Sequence, residues 1–151
     1  MRGMLEGVAA RTFAPLFLRA ALAAVFIFHG LEKVSPATSY GMHWAQGMGE
    51  NAPPMLINAP PLQIVIAWGE LLGGVAVALG ILTRIAALGL LIIMSGAIFT
   101  YSGHHGFSAV EHGYEYNFVL ILVCLTLVFL GPGTFSLDRV VRVKSRGPAQ
   151  Y

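Results

Sequence analysis

Charge is what this sequence has least of. Asp, Glu, Lys and Arg make up 11% of its 151 residues, against roughly 25% in soluble domains. A chain so poor in charge is unfit to cover a water-facing surface, which excludes an ordinary soluble domain and points to a membrane. The net charge is also small, +2 at pH 7, and gives no footing for a nucleic-acid partner. Cysteine is almost missing: Cys124 stands alone. One thiol forms neither an internal disulfide nor a Cys-x-x-Cys pair, so the chain by itself is no dithiol enzyme. Cys124 lies within "FVLILVCLTLVFL" and reads as a small core or lipid-facing residue. Repeats, linkers and low-complexity tracts are lacking too, and the length suits a single domain, 1–151.

What the chain does have is long apolar runs. They cover about 13–30, 61–82, 84–101 and 115–131, each close to the ~20 residues that cross ~30 Å of hydrocarbon. Backbone polar groups in lipid must bond internally, so the runs are read as helices. The expected fold is all-α, a bundle of four transmembrane helices. The first run follows Arg2 and Arg11 and includes Arg19, but it leads into "HGLEKVSP" with no small-x-small cleavage site. It is therefore read as an uncleaved span rather than a signal peptide.

Lys and Arg positions set the expected orientation. Arg2, Arg11, Arg19, Arg84, Arg139, Arg142, Lys144 and Arg146 fall on one side of four spans, and Lys33 alone falls on the other. This predicts a plasma-membrane protein with both termini cytoplasmic, an outer loop over 31–60 and a cytoplasmic tail over 132–151. In the outer loop, Tyr40 and Trp44 suit a short amphipathic helix, while Pro53-Pro54 and Pro60-Pro61 suit extended backbone. In the tail, Gly131-Pro132-Gly133 ends the fourth span. Ser136 is a candidate N-cap, and Leu137, Val140 and Val141 form a short apolar face at the inner surface.

Within "AWGELLGG", Glu70 is the one charge of the run Leu62–Leu82, whose only other strongly polar residue is Gln63. A charge at mid-membrane costs on the order of 2.5–3.5 kcal/mol on insertion scales, so Glu70 is expected to face the bundle interior. Gly69, Gly73, Ala76 and Gly80 form a small-residue stripe beside it that admits a close helix neighbour. His29, near the outer end of the first span, is the partner expected from depth. Two readings stand for Glu70 and His29: a proton or quinone site, or a structural hydrogen bond between helices. Trp68 lies next to this position and is a weaker binding candidate.

A second polar group, His104, His105, Glu111, His112, Glu115 and Asn117, falls in "SGHHGFSAVEHGYEYN". Its spacing matches no metal-ligand motif, so a solvated loop is the reading and no metal is expected. His104, His105, Glu115 and Tyr116 remain weak binding candidates. His29 with His104 or His105 offers a haem ligand pair only as a remote option. Tyr101, Tyr114 and Tyr116 suit an interfacial aromatic belt. On the inner side, Arg19, Arg84 and Asp138 are read as structural, either as snorkelling anchors or paired with one another.

"HGLEK" at 29–33, "GELLGGVAVALGILTRIAAL" at 69–88, "GYEYN" at 113–117 and "GPGTFSLD" at 131–138 together resemble the DoxX family, in order and across residues 13–140. The resemblance implies a four-helix membrane protein of bacterial or archaeal type. It further implies a link to quinone chemistry: related proteins form membrane subunits of a thiosulfate:quinone oxidoreductase, and others are tied to complexes that handle thiol or oxidative stress. The expected function is thus a membrane subunit of a quinone-linked redox complex, with quinone at a Glu70–His29 site and other redox-complex subunits as partners. The alternative is a non-catalytic subunit packing against a larger membrane complex. A small-solute transporter is a third class, disfavoured by the lack of an internal repeat.

Overall fold

The computed structural model describes residues 2–140. Regular structure among them is helical throughout: α1 Arg2–Val34, the single turn α2 Pro54–Ile57, α3 Pro60–Leu79, α4 Thr83–Thr100 and α5 Glu115–Leu130. Among the described residues three helices are long and apolar enough to cross a membrane, over Arg11–Val34, Pro60–Leu79 and Thr83–Thr100; α5 is apolar but shorter, at 16 residues. Val141, Arg142, Lys144 and Arg146 lie outside the described residues.

The first helix runs past the expected stop at Gly30. "LEKV" contains good helix formers, and Gly30 is there for packing rather than capping. A Cβ on Gly30 would sit 2.6 Å from the Leu71 backbone nitrogen, and one on Gly74 would sit 2.9 Å from that of Ile27. These two glycines, not the expected stripe, bring α1 and α3 into backbone contact. Gly69 and Gly73 face α4 instead, against Ile93 and Leu90. The extra turn of α1 matters for the site below, because it carries Lys33.

The helices close a ring in which α1 packs on α3, α3 on α4, α4 on α5, and α5 back on α1. Buried positions recur at helical spacing: Arg19, Leu22, Ala23, Phe26 and Gly30 on α1, and Gln63, Ala67, Glu70, Gly74 and Val77 on α3. Leu22, Phe26, Val77, Leu90, Cys124 and Leu127 form the core between them. Cys124 is thus a core residue.

The first loop departs from expectation. Both proline pairs initiate helix: Pro54 opens α2, and Pro60 opens α3. Proline's fixed φ and missing N–H suit the first helical position, where no intrahelical bond is lost. The loop also folds back on the bundle. Its Ala45 is fully buried, and its backbone N–H donates to the Gln63 side-chain oxygen at 2.9 Å. The Gln63 amide donates to Leu56 O at 2.8 Å, and the Trp44 indole N–H donates to Gln63 O at 2.9 Å. Gln63 therefore ties the loop to α3. No amphipathic α-helix forms at Tyr40: that residue is exposed with positive φ, and Trp44 starts a 3-10 segment broken at Gly49.

At the opposite end a polar clasp joins α1, α3, α4 and the tail. The Arg19 guanidinium is buried and donates to Val77 O at 2.8 Å, Ala78 O at 2.7 Å, Pro132 O at 3.0 Å and Phe135 O. Asp138 accepts from Leu82 N at 2.8 Å and Thr83 N at 3.2 Å, capping α4 from a distance in sequence. Arg84 donates to Phe129 O at 3.3 Å. The expected pairing among Arg19, Arg84 and Asp138 is therefore corrected. Each is engaged with backbone, because three helix ends expose orphan carbonyls and amides there. Among the described residues the Ser136 side chain is not bonded to an amide; its hydroxyl donates to Gly133 O at 3.2 Å. Pro15, inside α1, cannot bond Arg11 O, and the Thr134 hydroxyl donates to that carbonyl at 3.3 Å.

Candidate functional site

Glu70 lies on the buried face of α3 and is 2% exposed. Its partner is Lys33, whose Nζ is 2.6 Å from both carboxylate oxygens. The geometry follows from helical register. Lys33 lies four residues, about one turn, beyond His29 on nearly the same face of α1, and its long side chain reaches Glu70 where His29 does not. His29 instead faces Glu32 at 3.2 Å, and both side chains are about half exposed. The expected Glu70–His29 contact is thus replaced by Glu70–Lys33. Ending the span at Gly30 had placed Lys33 in a loop, out of reach.

The Lys33 ammonium also lies over the Trp44 ring, 4.7 Å from its centroid. A cation held between a carboxylate and an indole face has two attractive partners. Gln63 fixes the indole from the other side, so the loop, α1 and α3 converge on one ion pair.

Two cavities meet at this pair. The larger, of about 510 Å³, lies between the loop, α3 and α4; its walls include Met48, Leu56, Ile66, Ile93 and Tyr101 together with Lys33 and Glu70. Val65 and Ile92 on its rim are more than half exposed on the apolar surface of the bundle. The smaller, of about 190 Å³, lies between α1, α4 and α5 and is lined by His29, Tyr116 and Asn117 as well as Lys33 and Glu70. A large apolar chamber with a few convergent polar groups is the usual form of a small-molecule site.

The DoxX family model matches residues 14–103, the greater part of the chain. The chain belongs to the DoxX family. The matched region takes in α1 from Ala14, the loop, α3 and α4, and hence both members of the ion pair; "GYEYN" and "GPGTFSLD" lie beyond it. An uncharacterized protein of Haemophilus influenzae is 29% identical over 144 residues, spanning 94% of this chain and 89% of the relative. An uncharacterized membrane protein of Mycobacterium tuberculosis is 37% identical over 90 residues, spanning 53% of this chain and 54% of the relative. No solved structure matches.

Within this family member the remaining candidates scatter. Tyr116 lines the smaller chamber, whereas Trp68 is exposed and lines neither. His105 places Nδ1 3.1 Å from Tyr101 O and packs against the Tyr101 ring with the planes tilted by 51°. His104 is exposed. Glu115 accepts from Ala109 N at 3.1 Å, which closes its own loop. Among the described residues, no three His, Cys, Asp or Glu side chains are placed to share a metal ion.

Sequence reasoning missed Lys33, Gln63 and Trp44 as site residues. Two signals were present. Lys33 is the one cation on the loop side and continues the buried register of α1, and Gln63 is seven residues before Glu70 on the same face. Trp44 left no such signal, since its position depends on how the loop folds back.

Proposed function

We propose that this protein is a membrane subunit of a quinone-linked redox complex, with a lipid-soluble quinone head held at Lys33–Glu70 and its tail along the larger chamber. The observation that carries the reading is a largely buried ion pair in the wall of an otherwise apolar cavity, whose lining also includes Val65 and Ile92, exposed on the outside of the bundle. Lys33 is a donor suited to a ring carbonyl, and Glu70 can hold or release a proton beside it. Trp44 and Tyr101 offer aromatic faces to a flat ring. A quinone supplies a pair of carbonyls and a reversible proton-coupled redox change; this chain's part is to bind the head and handle its proton. The electron donor belongs to a partner subunit.

The same proposal places four spans in the plasma membrane with both termini cytoplasmic, as the Lys/Arg distribution favours. Impermeant thiol labels should reach a cysteine at position 40 in intact cells and miss one at position 84; the reverse pattern would overturn the orientation.

Purification in mild detergent followed by mass spectrometry of bound lipids tests the ligand. The wild type should retain quinone. Glu70→Gln should fold, melt close to the wild type and lose it. A stable Gln variant that keeps its quinone would leave Glu70 as helix glue and favour an accessory, non-catalytic subunit.

A further inference from the structure

The quinone reading uses the larger chamber for the tail and leaves the smaller one unassigned, and polar side chains make up a larger share of the smaller one's lining. Five of its ten lining residues carry polar side chains: His29, Lys33, Glu70, Tyr116 and Asn117. The two cavities share only Lys33, Glu70 and Ala97. The ion pair, backed by Ala97, is therefore the partition between them.

We infer that the smaller chamber is a water-filled antechamber through which Glu70 exchanges protons with solvent at the loop end, while the Lys33–Glu70 pair keeps that water out of the larger chamber. Three observations bear on it. First, a cavity of about 190 Å³ has room for several waters, and its side chains offer the two to four polar partners each water needs. Second, one of its walls reaches the surface. The His29 side chain is 45% exposed and sits 3.2 Å from the exposed Glu32, so the mouth is marked by two titratable groups in contact with solvent. Third, the larger chamber offers little to water beyond the ion pair itself, because hydrocarbon side chains make up most of its walls.

The step is a proton transfer and nothing else. A proton arriving through water in the antechamber converts the Glu70 carboxylate to a carboxylic acid. Lys33 keeps its charge and loses its counter-ion, leaving the Trp44 face as its remaining contact. The titratable groups facing Glu70 are Lys33 and His29 from α1, Tyr116 from α5 and Tyr101 from the end of α4. Two of these, His29 and Tyr116, line only the antechamber. The use of this proton rests on the quinone reading, but the water route itself does not.

The test is therefore made without quinone. In detergent-solubilised full-length protein, single cysteines are placed at Asn117→Cys and Ile93→Cys in a Cys124→Ala background. The probe is 2-aminoethyl methanethiosulfonate, a small cation that reacts with hydrated thiolates. Wild-type Cys124, which is fully buried, serves as the unreactive reference. The thiol at position 117 should react at least about tenfold faster than Cys124 and than the thiol at position 93, since reactivity follows thiolate character and access. Adding Glu70→Gln should raise the rate at position 93 by removing the partition. Equal rates at 117 and Cys124 would show a dry chamber and overturn the inference. Equal fast rates at 117 and 93 with the pair intact would overturn the partition. Should Asn117→Cys fail to elute as a folded monodisperse species, Val25→Cys probes the same chamber from α1, with the same two outcomes. Loss of quinone retention in the wild type, with this labelling pattern kept, would sink the ligand proposal and leave the water route standing.

Discussion

Among the described residues two charged side chains are buried, Arg19 and Glu70, and they are held in opposite ways. Arg19, 3% exposed, spends its guanidinium on four backbone carbonyls drawn from α3 and the tail. Those acceptors belong to helix ends and a tight turn, and none can swing away. Glu70, 2% exposed, depends on one flexible lysine at the edge of the fold and has a cavity on either side. The first arrangement satisfies a charge permanently. The second satisfies it with a partner that can leave and with space for something else to arrive. Burial alone does not separate a structural charge from a functional one; the mobility of the partner and the free volume beside it do.

The contrast is open to attack by mutation, and the largest effect is expected at Arg19. Arg19→Met removes a charged donor from four carbonyls, and orphaned buried acceptors cost about 1–3 kcal/mol each when no water replaces the donor. Thermal unfolding in detergent should show a loss of about 3 kcal/mol or more, or no folded protein. A melting curve like that of the wild type would mean that the clasp holds nothing. At the other pole, Lys33→Met should cost about 2 kcal/mol, below the ~3–5 kcal/mol of a fully buried pair because the Lys33 side chain is 22% exposed and water can reach the stranded carboxylate. The double change Lys33→Met with Glu70→Leu should recover most of that loss, as buried ion pairs replaced by apolar residues often do. Failure of the double variant to recover would make the pair a structural element like Arg19 and erase the contrast.

Smaller effects should follow outside these poles. Asp138→Ala uncaps the first turn of α4 and should cost about 1 kcal/mol, read as earlier melting with quinone retention unchanged. Cys124→Ala should cost within about 1 kcal/mol, from the loss of one sulfur in the core, and should leave ligand retention as it is. If it abolished function in folded protein, a thiol shared with a partner would have to enter the mechanism.

How much of this could be read from the sequence follows the same division. The helices α3, α4 and α5 were legible to within a few residues, because Pro60 and Gly131 bound the apolar runs; the second run was carried past Gly80, which in fact ends α3. That Glu70 faces α1 was legible too, from the cost of exposing it to lipid. Its partner was not. Depth pointed to His29, but one further turn of α1 puts Lys33 on nearly the same face, and its longer, charged side chain makes the contact. Arg19 and Asp138 were marked as structural, yet their acceptors and donors are backbone groups, which leave no trace in residue identity. The loop was misread for a related reason. Proline pairs encode both extended backbone and helix starts, and the choice between them was made by Gln63 and Ala45, which bind the loop to α3 only once the chain has folded.

Trp44 gives the molecule an optical gauge of its own. There are two tryptophans in the chain. Trp68 is turned outward at 41% exposure, a constant background set by its surroundings. Trp44 is pinned by its indole N–H to Gln63 and carries the Lys33 ammonium on its ring. Any event that draws that ammonium away, whether a proton on Glu70 or a carbonyl arriving from the membrane, removes a full positive charge from the face of one fluorophore and not the other. The emission of the unmodified protein is thereby coupled to the state of its ion pair.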